Sequence, residues 1–182
     1  MPVLVPWAEN VVTVAHPTAP RAVALEGATI GIVDNGWHCM HVLTEELTRA
    51  LTETYGVAEV VVKHTSGSLT MTAAERADLL QRCQAVVIGI GTCGSCTRWV
   101  LQDAVELEHA GMPTVSLYTD AFALLASTLA EMDGMTGVPR VVLPHPLNPL
   151  PDDEIRAVAR ASMEQMLGAL VRPGGLLAAS AA

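Results

Sequence analysis

Ala85-Val86-Val87-Ile88-Gly89-Ile90-Gly91-Thr92-Cys93-Gly94-Ser95-Cys96 sets the fold of this chain. Its first six residues form a short, β-branched apolar run, the pattern of a strand buried on both faces. From Ser95 onward Trp99, Val100, Val105 and Leu107 fall near helical spacing, with Arg98, Gln102, Asp103 and Glu106 between them as polar positions. A strand that passes into a helix through so short a turn is half of a β-α-β unit. It also places two thiols at a helix start, where unpaired backbone N–H groups carry partial positive charge and favour thiolate over thiol.

The same alternation continues on both sides of this segment. Strands are predicted at Thr29 to Val33, Glu59 to Lys63, Ala85 to Ile90, Thr114 to Tyr118 and Arg140 to Leu143. Helices are predicted at Met40 to Thr54, Thr72 to Gln81, Ser95 to Ala110, Ala121 to Met132 and Asp152 to Leu170. Parallel neighbours need crossovers, and crossover helices cover both faces, so the expected fold is α/β: a doubly wound parallel sheet of about five strands in a flavodoxin-like three-layer sandwich. One α/β domain over residues 1–182 is expected, with a proline-bearing N-terminal arm (1–27) and a Gly- and Ala-rich tail (172–182) that frays. No internal repeat is visible.

Composition bounds the function. With 51% hydrophobic but only 3% aromatic residues, the core must be aliphatic, which suits a parallel sheet under helices. A net charge of −9 provides no basic patch for nucleic acid or an anionic membrane. No basic region followed by a long apolar core opens the chain, and no run of eighteen apolar residues occurs. The expectation is a cytoplasmic protein with a small-molecule substrate, no nucleic-acid or membrane partner, and a homo-oligomeric state. In a reducing compartment its four cysteines are reactive, metal-binding or buried rather than structurally paired.

Ligands of such sheets bind beyond the carboxyl ends of the strands. Four of the six histidines and three of the four cysteines map to that edge. After the first strand come Asp34, Asn35, Gly36, Trp37, His38, Cys39 and His41; after the second, His64, Thr65 and Ser66; after the third, Thr92 to Cys96. The fourth leads to Thr119 and Asp120, and the fifth to Pro144, His145 and Pro146. Each has a structural alternative: Asp34 and Asn35 as caps or an Asx turn, Trp37 as a rim aromatic with an exposed N–H, and His38 and His41 as solvated first-turn residues. Asp120 is the natural N-cap of a helix starting at Ala121. Cys83, at the opposite edge, is expected to be buried, and His109 to answer a helix C-terminus. Prolines on both sides hold His145 rigidly.

Gly91-Thr92-Cys93-Gly94-Ser95-Cys96-Thr97-Arg98, the later Gly111-Met112-Pro113 before a strand, and Leu143-Pro144-His145-Pro146-Leu147 together resemble the UGSC family, named for selenocysteine-Gly-Ser-Cys or its all-cysteine form. They also resemble the related selenoprotein subunit of glycine, sarcosine and betaine reductases. The likeness implies that Cys93 takes the selenocysteine position and Cys96 that of the partner thiol. In those reductases the selenolate attacks carbon, displaces an amine and passes the fragment onward. The family often reads Asp-Asn-Ser-Lys after the first strand, whereas this chain reads Asp34-Asn35-Gly36-Trp37-His38-Cys39, losing a lysine and adding a thiol and an imidazole.

Three functions follow. The leading one is a dithiol enzyme: Cys93 attacks a small organic substrate, Cys96 resolves the adduct and leaves a disulfide, and His145 serves as general acid or base. Asp34, Asn35, Trp37, His38, Cys39, Thr92, Ser95, Thr97 and Asp120 are the substrate-binding candidates. No cofactor is required, but turnover calls for an electron-donating thiol protein or partner subunit; a hydrolase or lyase using Cys93 alone would not. The second is a metal site for Zn, Cu or Fe drawn from His38, Cys39, His41, His64, Cys93, Cys96 and His145. The third is a non-catalytic subunit that presents its thiols to a larger reductase complex.

Overall fold

The β-branched runs pair as their composition predicts. β1 (Thr29–Asp34), β2 (Glu59–His64), β3 (Ala85–Gly91), β4 (Thr114–Thr119) and β5 (Arg140–Leu143) form one parallel sheet in the order β2-β1-β3-β4-β5. That is the flavodoxin-like order. The computed structural model describes residues 15–22, 24–65 and 69–173. Ser66, most of the N-terminal arm and most of the tail therefore lie outside the described residues.

The helices are α1 (His38–Glu53), α2 (Ala73–Arg82), α3 (Gly94–His109), α4 (Asp120–Met132) and α5 (Asp152–Gly168), and every element ends within two residues of its expected bounds. Period-two alternation divides the strands between two cores. Ile30, Ile32 and Val87 face the layer of α1 and α5, while Val33, Val86 and Ile88 face that of α2, α3 and α4. Each fully buried Leu or Ile contributes about 1.5–3 kcal/mol by leaving water, so the sheet is stabilised from both sides. No helix among the described residues is long and apolar enough to cross a membrane.

Two acids of α3 depart from the simple polar-face expectation. Asp103 and Glu108 are both buried on α3. Glu108 accepts hydrogen bonds from Ala19 N (2.7 Å), Arg21 Nη2 (2.5 Å), Thr114 N (2.7 Å) and Thr114 Oγ1 (2.8 Å), joining the arm to the start of β4. Asp103 accepts the Met71 N–H through both oxygens, at 3.1 and 3.2 Å. Its place three residues after Val100 and four before Leu107 puts it on the apolar row, where charge was not expected.

Burial pushes the Asp103 carboxyl up to about 7 from its ordinary 3.8. The folded chain then holds a proton that the unfolded chain releases. The stability this group contributes is full below its unfolded pKa and is lost as pH rises through the folded value. Asp103→Asn keeps an acceptor for Met71 N–H and removes the titration. Between pH 4 and pH 8, urea unfolding should shift in favour of the variant relative to wild type by about 2–4 kcal/mol. Parallel pH profiles for the two proteins would refute the assignment.

Candidate functional site

Parallel pairing sends every strand's carboxyl end to one edge, and the helices after β1 and β3 depart to opposite faces of the sheet. A crevice opens where neighbouring connections diverge in this way. Trp37, in the turn between β1 and α1, reaches across it and donates its indole N–H to Cys96 Sγ at 3.3 Å. Trp37 is thus a contact of the thiol pair rather than a rim aromatic with an exposed N–H. Asn35 spans the same gap, with Nδ2 donating to the Ile90 carbonyl at 3.0 Å. Its Oδ1 is buried without a hydrogen-bond partner among the described residues.

Cys93 is the N-cap of α3, and its sulfur accepts the Cys96 N–H at 3.2 Å. This is the side-chain cap that Ser or Asp commonly supplies, made here by sulfur. Cys93 and Cys96 are joined as a disulfide with Cα atoms 5.2 Å apart. Cys93 is half-buried and Cys96 buried, so the first sulfur is the one open to approach. Ser95 Oγ lies 3.5 Å from Cys93 Sγ, and Ser95 is exposed. Thr92 is half-buried beside them.

Gly89, Gly91 and Gly94 also match the Gly-x-Gly-x-x-Gly spacing of dinucleotide-binding turns. Packing within the protein accounts for the first two. A Cβ on Gly89 would meet Met40 Sδ at 2.2 Å, and one on Gly91 would meet Tyr118 Cδ1 at 2.4 Å.

Asp34, at the end of β1, is fully buried. Its Oδ1 accepts the Gly36 N–H at 2.8 Å in an Asx turn, and Gly36 has φ +84°, which favours glycine. Its Oδ2 lies 2.5 Å from His41 Nδ1 and 3.5 Å from His64 Nδ1. The hydrogen bond with the Asp34 carboxylate raises the His41 pKa, because it favours the imidazolium. His145 is exposed, its Nδ1 3.1 Å from Thr119 Oγ1 and its ring edge-on to Phe122 at 5.8 Å. The Thr119 hydroxyl in turn donates to the Gly91 carbonyl at 3.4 Å. The histidine therefore connects to the end of β3 through a residue of β4.

Several candidates fall elsewhere. Cys39 has no exposed surface and packs in the α1 core, with burial pushing its thiol up to about 11. Cys83 is buried as expected, and its thiol is likewise raised to about 11 by burial. Thr97 is also buried, spending its hydroxyl on the Cys93 carbonyl at 2.7 Å. Asp120 is the exposed first residue of α4, whose N-cap is Thr119, so it is not the cap that the sequence suggested. His38 Nε2 meets Asp152 Oδ1 at 2.8 Å, an exposed pair between α1 and α5. Of the seven metal-ligand candidates, Cys93 and Cys96 meet as a disulfide, and among the described residues only His41 and His64 join a group of three ligand atoms, with the substrate-binding candidate Asp34 as the third. The missing information was register: β1 pairs Asp34 with His64, which no local pattern reveals. A groove of about 770 Å³ lies at the other end of the strands, lined by Gly27, Ala28, Gln84 and Pro113, away from this chemistry.

An α/β protein with a thiol pair at the helix start beyond a central strand is the class that this geometry defines. The chain belongs to the UGSC family, whose model matches residues 2–172. It is similar to the glycine reductase complex component B subunit gamma of Carboxydothermus hydrogenoformans, 38% identical over 96 residues, covering 52% of this chain and 21% of that protein. The subunit of the same name from Symbiobacterium thermophilum is 36% identical over 104 residues, covering 56% and 23%. The matches thus span under a quarter of either relative's length. Among solved structures, a flavo di-iron protein of Thermotoga maritima aligns at TM-score 0.48 with 13% identity, over 79% of this chain and 36% of that one. A flavoprotein of the same organism aligns at 0.47 with 12% identity, over 79% and 37%.

With thiols near 11, Cys39 and Cys83 hold little thiolate at neutral pH. After mild reduction, iodoacetamide at pH 7.5 should label Cys93 first, with Cys39 and Cys83 reacting only on unfolding. Faster labelling of either buried thiol in the native protein, read by peptide mass spectrometry, would displace Cys93 as the nucleophile.

Proposed function

We propose that this chain is a thiol-dependent oxidoreductase component of a multi-subunit reductase, with Cys93 as nucleophile and Cys96 as resolving thiol. The observation that carries this reading is the Cys93 sulfur at the start of α3, which accepts a backbone N–H and sits in bonding contact with Cys96. Negative charge at that sulfur is stabilised by the helix N-terminus, typically by 0.3–1 kcal/mol and by up to about 2 kcal/mol where partly buried.

The Cys93 thiolate attacks an electrophilic centre of a small organic substrate and displaces a leaving group, which takes up a proton. The Cys96 thiolate then attacks the Cys93 sulfur, releasing the bound fragment with the electron pair of the broken bond. Two electrons have left the dithiol, and the Cys93–Cys96 disulfide remains. An electron-donating thiol protein restores it. In this reading Thr92, Ser95 and the first-turn N–H groups of α3 hold an anionic substrate group. His145, held through Thr119, supplies or removes the proton.

Partner subunits are supported by the relatives' names, since both are subunits of a complex. The surface of α4 agrees with this, because it leaves Leu124, about one turn past the helix start at that edge, exposed.

An aromatic disulfide tests the pair directly. Reduced wild type should release two equivalents of aromatic thiolate and finish as the internal disulfide. Cys96→Ser should release one equivalent and retain a mixed disulfide on Cys93, and Cys93→Ser should react at least about 10²-fold more slowly. Equal two-equivalent release from all three proteins would remove the dithiol mechanism. For the imidazole, His145→Gln should fold normally and flatten the pH dependence of Cys93 alkylation between pH 6 and 8. An unchanged profile would reduce Pro144-His145-Pro146 to a structural turn.

A further inference from the structure

Two imidazoles and a buried carboxylate meet outside the thiol pair, at the ends of β1 and β2. We propose that Asp34, His41 and His64 bind one divalent ion of the zinc class, leaving a coordination position open to water or a substrate oxygen. Asp34 Oδ2 and the two Nδ1 atoms lie within 4.8 Å of one another. Around an ion with bonds of about 2.0–2.1 Å, tetrahedral ligand atoms sit about 3.3 Å apart. His64 Nδ1, 3.5 Å from Asp34 Oδ2, already has that spacing. His41 Nδ1, at 2.5 Å, must withdraw by under about 1 Å, a small rotation for an exposed ring.

The carboxylate gives a second, independent reason. Asp34 is fully buried, and its Oδ2 faces two imidazoles rather than a permanent cation. A buried carboxylate calls for compensating charge, and a divalent ion between these three groups supplies it. The Gly36 N–H on Oδ1 fixes the carboxylate's orientation, as outer partners of metal ligands do.

The site's character follows from its donors. Three protein ligands with a coordination position left over make a reactive rather than a purely structural centre, and both histidines are exposed to solvent. Nitrogen and oxygen donors without sulfur suit Zn²⁺, Co²⁺ or Fe²⁺ better than Cu⁺. Cys39, two residues before His41, packs in the core and does not join them.

The test keeps this site separate from the thiols. Untagged protein is stripped with a chelator, held in the Cys93–Cys96 disulfide form, and titrated with Zn²⁺ by calorimetry and with Co²⁺ by absorption. One ion per chain is expected, with a cobalt spectrum lacking a thiolate charge-transfer band. His41→Ala and His64→Ala should each weaken binding by at least about 10-fold. His38→Ala should leave it unchanged. Both ligand histidines are exposed, so their variants should keep the wild-type circular dichroism even if substitution of buried Asp34 does not. Absence of saturable binding, undiminished binding in both ligand variants, or a thiolate band would each overturn the proposal. Because the thiols are oxidised throughout, such a failure would not affect the dithiol reading.

Discussion

Parallel pairing of β1 with both its neighbours is the constraint on which the rest of this structure depends. One register sets Asp34 opposite His64, and the other sets it opposite Gly89. The same strand end therefore faces the imidazoles on one side and the approach to the cysteines on the other. Asn35 and Trp37 follow at once and span the second gap, through Ile90 O and Cys96 Sγ. A slip of one residue in either pairing would turn every side chain of β1 to the opposite face and dissolve both constellations.

On the proposed dithiol function, structure and reactivity at the α3 start make use of the same atoms. A Ser or Asp cap would satisfy the first-turn N–H as well as Cys93 does, but neither can also be a redox partner for a residue one turn later. Sulfur does both. When Cys93 is a thiolate, the Cys96 N–H donates to charge; when it is in the disulfide, the same geometry keeps the two residues together. Close packing of Gly91 against Tyr118 and Thr97 keeps the end of the strand in place beneath them.

The elements were legible because their patterns are local. Aliphatic β-branched runs and helical spacing lie within single segments, so each element can be read without its neighbours. The Cys-Gly-Ser-Cys segment was legible for the same reason. What escaped was either nonlocal or polar in an apolar place. The Asp34–His64 pairing depends on strand register, which sequence spacing does not encode. Asp103 and Glu108 run against the general exposure of charged side chains, although helical spacing from Val100 and Ala104 places them on the inward rows. Cys39 begins the row Cys39, Leu43, Leu47 and Leu51, so its burial could have been read from the sequence.

These placements change what the chain's departure from the Asp-Asn-Ser-Lys pattern means. Read as letters, Gly36-Trp37-His38-Cys39 removes a lysine and adds a thiol and an imidazole to the edge. In the fold, the added thiol belongs to the core and the added imidazole of His38 joins α1 to α5 through Asp152. The residues at this turn that bear on the thiol pair are Asn35 and Trp37, and the one that bears on the imidazole cluster is Gly36, whose positive φ lets the Asp34 carboxylate fold back on its N–H. An indole N–H against Cys96 is a neutral donor where a lysine would bring full charge, so it orients the sulfur without forming an ion pair with it. Stabilisation of an anion at the pair then falls to the α3 N–H groups. On the proposed dithiol function, a substrate suited to this edge would be one whose reacting group is drawn to backbone donors and an aromatic wall.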